Sequence, residues 1–253
     1  MDFDMEKWMR DMVSPGEKRP LPVLSFPGIQ ITGNTVEETV RSGRLQAECM
    51  EAIADRFDMA AVLGLMDLSV EAEAFGSPGR YSSQEVPTVT AAIIQEEEEA
   101  DALQVPPVGA GRTGECLAGI RQGAGQVKDR PVLAGMIGPY SLAGRLLDMT
   151  EIMILCYEEP EIVETVLEKV TGFLCDYARA FKEAGADGIV MAEPAAGLLS
   201  PGLFREFSVP YVKRICQAAR EAGLALIYHN CGMVEPLLGA IADIPADGYS
   251  FGN

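Results

Sequence analysis

Leu224-Ala225-Leu226-Ile227-Tyr228-His229-Asn230-Cys231-Gly232 is a short apolar run that ends in two metal-capable side chains. It follows a glycine that closes one helical pattern and precedes another, so it reads as a buried strand. His229 is the only histidine of the chain, and Cys231 stands two residues on. At an extended strand end, residues i and i+2 point to the same side. An imidazole and a thiolate on one side suit a borderline or soft cation, zinc above all. Two donors do not make a stable zinc site, and a bare His-x-Cys also fits a hydrogen-bonded histidine beside a free cysteine.

Outward from this stretch, strand and helix alternate. Asp187-Gly188 leads into strand Ile189–Ala192, which ends at Glu193-Pro194, and Ala246-Asp247-Gly248 repeats that junction before strand Tyr249–Phe251. Upstream, Pro131–Pro139 and Met59–Met66 read as strands, the second a nearly unbroken apolar run ending at Asp67, and Val23–Phe26 as the first strand. Helices are expected over Met5–Met12 (stopped by Pro15 and Gly16), from a Thr35/Glu38 capping box to about Arg56, over 67–76, Ala91–Leu103, Glu115–Gln122, Tyr140–Leu147, from Pro160 to Ala184, over Gly202–Ala222 and Val234–Ile241. Gly185 and Gly223 are the expected stops of two of them. The run Glu96–Glu99 reads as the solvated face of a helix. Gly109–Gly114 lacks the Lys-Ser/Thr of a phosphate loop and follows no strand, so it is read as a plain loop.

Helices between nearly every pair of strands imply a parallel sheet covered by helices. The polar residues gather at the C-terminal ends of strands: Asp67, Glu193, His229 and Cys231. That is where (β/α)8 barrels place their chemistry. The expected fold is therefore an α/β, TIM-type (β/α)8 barrel with an N-terminal helical extension, one domain over residues 1–253. Six strands are read where eight close a barrel, so the domain is expected to lack its last two βα units and to be C-terminally incomplete. The competing fold, an open doubly wound sheet, lacks its glycine fingerprint after the first strand.

Composition narrows the function. Of 253 residues, 48% are hydrophobic and 23% charged, as in an ordinary globular enzyme. A net charge of −18 argues against nucleic acid and anionic membranes as partners. The six cysteines show no disulfide-like spacing and suit a reducing cytoplasm. The acidic N-terminus is unlike a secretory signal.

Several stretches, in order, carry a family resemblance: Met66–Gly76, Ile137-Gly138-Pro139-Tyr140-Ser141-Leu142-Ala143, Glu183–Ile189, Leu199-Ser200-Pro201 with Phe204 and Phe207, and His229-Asn230-Cys231-Gly232. The chain resembles the uroporphyrinogen decarboxylase superfamily, and within it the methylcobalamin:coenzyme M methyltransferase branch. The resemblance implies a (β/α)8 barrel and a zinc ion held by His229, Cys231 and a later cysteine that would lie beyond Asn253. It implies transfer of a methyl group from a methylcorrinoid, carried by a corrinoid protein, to a zinc-activated thiol or similar small acceptor. On this reading Glu193 orients a metal ligand or the acceptor, with backbone capping as its rival role. Asp67, with Glu193 a candidate catalytic residue, lines the same mouth, with a helix N-cap as its rival. Glu71 and Tyr140 are the candidate cofactor contacts, and simple packing is the rival for Tyr140. The decarboxylase branch fits less well: its arginine-rich substrate loop is replaced by Phe26-Pro27-Gly28-Ile29-Gln30, with no arginine until Arg41. A barrel that binds a corrinoid or tetrapyrrole without turnover is the non-enzymatic alternative.

Overall fold

The computed structural model describes residues 3–14, 16 and 18–252. Its core is a parallel sheet of β1 (Val62–Leu63), β4 (Val132–Ile137), β5 (Gly188–Ala192), β6 (Ala225–Asn230) and β7 (Gly248–Phe251). A small antiparallel hairpin, β2 (Gly79–Arg80) with β3 (Thr88–Val89), lies apart from it. The order β1-β4-β5-β6-β7 follows the chain, so each new strand joins the same edge. A doubly wound sheet reverses its order at a switch point; this one does not, and it forms a curled half-barrel.

The register assigns the two faces. Leu63, Leu133, Gly188 and Ala225 lie side by side, as do Val190 with Ile227 and Ala192 with His229. That set is the inner face. Ala61, Leu63, Leu133 and Val190 form a small inner core with Met5, Trp8 and Leu21, and Trp8 Nε1 donates to Ala60 O at 2.9 Å. The helix Met5–Val13 thus closes the N-terminal end of the half-barrel, leaving a cleft of about 460 Å³ that reaches Ile227 and Ser250. The outer face carries the main core, into which the helix Pro160–Glu183 sends Val166, Val170, Phe173, Tyr177 and Phe181. No helix among the described residues is long and apolar enough to cross a membrane.

Several expected elements differ. Val23–Phe26 is a turn running into the helix Gly28–Thr32, not a strand. Pro20 and Pro22 have no N–H to give a ladder, and the segment is tied to the run around β1 by Ala60 N to Pro20 O at 2.9 Å and by Met66 N to Ser25 Oγ at 3.2 Å. Five parallel strands among the described residues, not six, leave an eight-strand closure three short rather than two. The apolar run 59–66 contributes a ladder only at β1. The helix expected from Thr35 to Arg56 is two, Val36–Val40 and Gly43–Arg56, the second capped by Ser42. Gly43 is where it packs on the helix Thr113–Gln126; an added Cβ would stand 2.6 Å from Ala118 Cβ. Ala91–Leu103 shrinks to Glu97–Ala102, whose acidic first turn suits the positive end of a helix. Gly202–Ala222 breaks at Ser208, before the N–H-less Pro210, into Pro201–Phe207 and Val209–Glu221. Val234–Ile241 is a 3-10 turn, Glu235–Leu237, followed by Leu238–Ile241. The helix Glu151–Glu158 was not expected. Pro15 lies outside the described residues. Gly185 and Gly223 do end their helices in the left-handed region, at φ 98° and 74°.

The capping box at Thr35 is present in both directions, Glu38 N to Thr35 Oγ1 at 3.2 Å and Thr35 N to Glu38 Oε2 at 2.9 Å. Thr35→Ala is expected to cost about 1 kcal/mol, read from chemical denaturation.

Candidate active site at the strand ends

The parallel sheet brings the C-terminal ends of β1, β4, β5 and β6 to one end of the half-barrel, and with them Asp67, Glu193, His229 and Cys231. They do not share one cavity. Strand alternation decides which way each points.

His229 is an inner-face residue, beside Ala192 on β5 and Ser250 on β7. Its Nδ1 lies 3.0 Å from Ser250 Oγ. The ring is half-buried, and burial lowers its pKa below the ordinary histidine value against the opposing effect of the Ser250 contact. The neutral imidazole, the form that binds metals, is therefore favoured. Cys231, two residues on and just past the strand, is exposed. Asn230 between them is fully buried on the outer face. Among the described residues no group of three or more His, Cys, Asp and Glu is arranged to hold a metal. The two donors fit zinc in type, as two ligands of a set that the described residues do not complete.

Glu193, one residue past β5, falls in the outer phase and is 0% exposed. Its Oε1 accepts from Ser141 N at 3.1 Å, in the first turn of the helix Pro139–Leu147. That helix has Gly138 at its N-cap and no side-chain cap of its own. Glu193 fills the role from the neighbouring strand, which is the backbone-capping role rather than an opening into the mouth. Its main chain still touches the site, because Glu193 N donates to His229 O at 2.8 Å.

Asp67 is also buried. Its Oδ1 accepts from Ser69 N at 3.0 Å and Ser69 Oγ at 2.7 Å, and Oδ2 pairs with the Arg112 guanidinium. Arg112 reaches Glu73 Oε2 at 2.6 Å and Ser69 Oγ at 2.9 Å, and the Tyr81 hydroxyl donates to that same Glu73 oxygen. Ser69, not Asp67, holds the N-cap position of the helix Val70–Ala74. Asp67 is thus consumed by a buried ion pair. Tyr140 is buried in the main core, its hydroxyl 3.7 Å from Cys156 Sγ. It packs rather than meeting a cofactor.

Glu71 stands on the other side of the same turn. Its Oε1 accepts from Ile137 N at 3.1 Å, so two buried carboxyls grip the main chain on either side of Gly138-Pro139. Among the described residues, Oε2 of each has no hydrogen-bond partner. Burial pushes Glu71 up to about 7 and Glu193 up to about 8, against the pull of those backbone N–H groups. Each carboxyl keeps its proton in the fold well above the pH at which the unfolded chain loses it. The stability these two groups contribute is therefore expected to be fully present below about pH 4.5, to fall as pH rises toward 8, and to level off beyond. Melting temperatures across that range check this, and Glu193→Gln should flatten the slope.

The residues that sequence reasoning missed are Ser250, Arg112, Ser141 and Asn230. Ser250 was reachable, since strand phase sets it beside His229. Arg112 sits in the Gly109–Gly114 stretch, and its partners are 39 to 45 residues away.

The fold is an α/β half-barrel of parallel strands with His229 at the C-terminal end of β6. The uroporphyrinogen decarboxylase (URO-D) family model matches residues 24–253, and the chain belongs to that family. Its likeness lies with the methyltransferase branch. It is 29% identical over 229 residues to methylcobamide:CoM methyltransferase MtbA of Methanosarcina acetivorans, covering 85% of this chain and 67% of that protein. It is 32% identical over 155 residues to the chloroplastic uroporphyrinogen decarboxylase of Zea mays, covering 58% of this chain and 38% of that one. A solved methyltransferase from Methanosarcina mazei superposes with a TM-score of 0.86 at 25% identity, covering 97% of this chain and 74% of the other.

Proposed function

We propose that the protein is a corrinoid-dependent methyltransferase, moving a methyl group from a methylcorrinoid, presented by a corrinoid protein, to a thiol held at His229 and Cys231. We propose further that the half-barrel is part of a closed (β/α)8 barrel and that the third metal donor lies outside the described residues. The reading is supported by His229 on the inner face at the end of β6, with Cys231 exposed two residues on, in a chain similar to methylcobamide:CoM methyltransferases.

Zinc, when bound, supplies a Lewis acid that turns an acceptor thiol into a thiolate near neutral pH. The chain's own residues do the rest. Ser250 occupies His229 Nδ1 and turns Nε2 outward as the ligating nitrogen. The half-buried position keeps that ring neutral. Glu193 has no direct part: it holds the helix Pro139–Leu147 and, through its N–H, the His229 carbonyl. Asp67 and Arg112 brace the turn after β1. The segment 26–30 carries no cation for a substrate with many carboxylates, which favours methyl transfer over tetrapyrrole decarboxylation.

The test is optical. Methylcobalamin incubated with the protein, zinc and coenzyme M should lose its methyl-corrinoid spectrum only when the thiol is present. Decarboxylation of uroporphyrinogen, with no methyl transfer, would overturn the reading in favour of the other branch.

A further inference from the structure

The two donor residues are packed from behind. Asn230 Nδ2 donates to the Tyr228 hydroxyl at 3.2 Å, and its Oδ1 accepts from Gly232 N at 2.9 Å. One buried carboxamide therefore ties the strand just before His229 to the chain just after Cys231. The loop after β5 presses directly on this point. A Cβ added at Gly197 would stand 2.8 Å from Asn230 Oδ1 and 2.9 Å from Gly232 Cα. One added at Gly232 would stand 3.0 Å from Gly197 Cα. Neither glycine has a positive φ, so each is needed for room rather than for conformation. From the other side, a Cβ at Gly252 would lie 2.9 Å from Cys231 Cα. The main chain of Cys231 is gripped on both flanks while its side chain stays open.

We propose that Asn230, Gly197 and Gly232 are positioning residues that set His229 and Cys231 in register for one cation before any cation binds. The inference rests on the reading of those two residues as a donor pair. Asn230 faces away from the donors and acts through them. Alanine at this position would leave the Gly232 N–H without its acceptor and the Tyr228 hydroxyl without its partner. A loop free to move would have to be ordered at the moment of binding, and that ordering costs affinity.

The experiment compares the parent with Asn230→Ala and, as an independent perturbation, Gly197→Ala. Cobalt(II) is titrated into each and followed by the thiolate-to-cobalt absorption. Circular dichroism and melting report the fold, and crystal structures of the metal-free proteins give the His229–Cys231 separation. The expected result is cobalt affinity lowered about 10- to 100-fold, with secondary structure unchanged and Cys231 displaced relative to His229 in the metal-free variants. Parental affinity and an unchanged separation in a folded variant would overturn the proposal. If cobalt binds the parent without thiolate absorption, the donor-pair reading fails instead. Whatever the metal does, unchanged His229–Cys231 separations in both folded variants would overturn the positioning role.

Discussion

His229→Ala and Cys231→Ser are each expected to cut methyl transfer from methylcobalamin to a thiol by at least about a hundredfold. Removing even a group that only orients a metal ligand costs about 10–100-fold, and these two are assigned as ligands themselves. The melting temperature should stay close to the parent's. Cys231 is exposed and His229 only half-buried, so neither change opens a cavity in the main core. Surface changes of this kind stay within about 0.5 kcal/mol. Activity lost together with the fold would point to a structural role, and activity retained would remove the pair from the chemistry. Ser250→Ala should have a smaller effect, because it frees the ring without deleting a donor.

Gly138→Ala is expected to be the most damaging single methyl group in the chain. Its Cβ would stand 1.5 Å from Glu193 Oε2 and 2.5 Å from Glu193 Cδ. The carboxyl is fully buried and has nowhere to swing. If it moves, Ser141 loses its acceptor and the helix Pro139–Leu147 loses the cap that glycine cannot provide. Overpacking costs about 1–3 kcal/mol and an orphaned buried polar group about as much again. A loss of roughly 3–5 kcal/mol, or failure to fold, is the expected outcome of denaturant unfolding. Pairing Gly138→Ala with Glu193→Ala should recover part of the loss, because the second change removes the colliding oxygen. Strict additivity of the two would show that the clash is not the cause.

The alternation of strands and helices was legible because parallel strands buried on both faces leave apolar runs, and because Gly185 and Gly223 mark helix ends. The end of the sheet that bears the polar residues was legible for the same reason: each strand's direction follows from its place in the βα repeat. The direction in which each polar side chain points was not. Glu193 comes one residue after Ala192, and a single step of strand phase turns it from the inner face to the core. Its partner Ser141 is 52 residues away. Asp67 looked free for chemistry until the fold brought Arg112 to it from a loop 45 residues on. Val23–Phe26 has strand-like residues, and only its preceding prolines and its position at the sheet edge tell against a ladder. The structure places His229 on the inner face at the end of β6 and leaves Cys231 exposed two residues on; their role as a donor pair is a proposal that needs no distant partner in the sequence.

The most direct test of the account is X-ray absorption at the metal edge of the zinc- or cobalt-loaded protein. The account predicts a nitrogen at about 2.0–2.1 Å and a sulfur at about 2.3 Å, with the sulfur shell lost or reduced in Cys231→Ser and the imidazole scattering lost in His229→Ala. A shell of oxygen and nitrogen alone, unchanged by both substitutions, would contradict it.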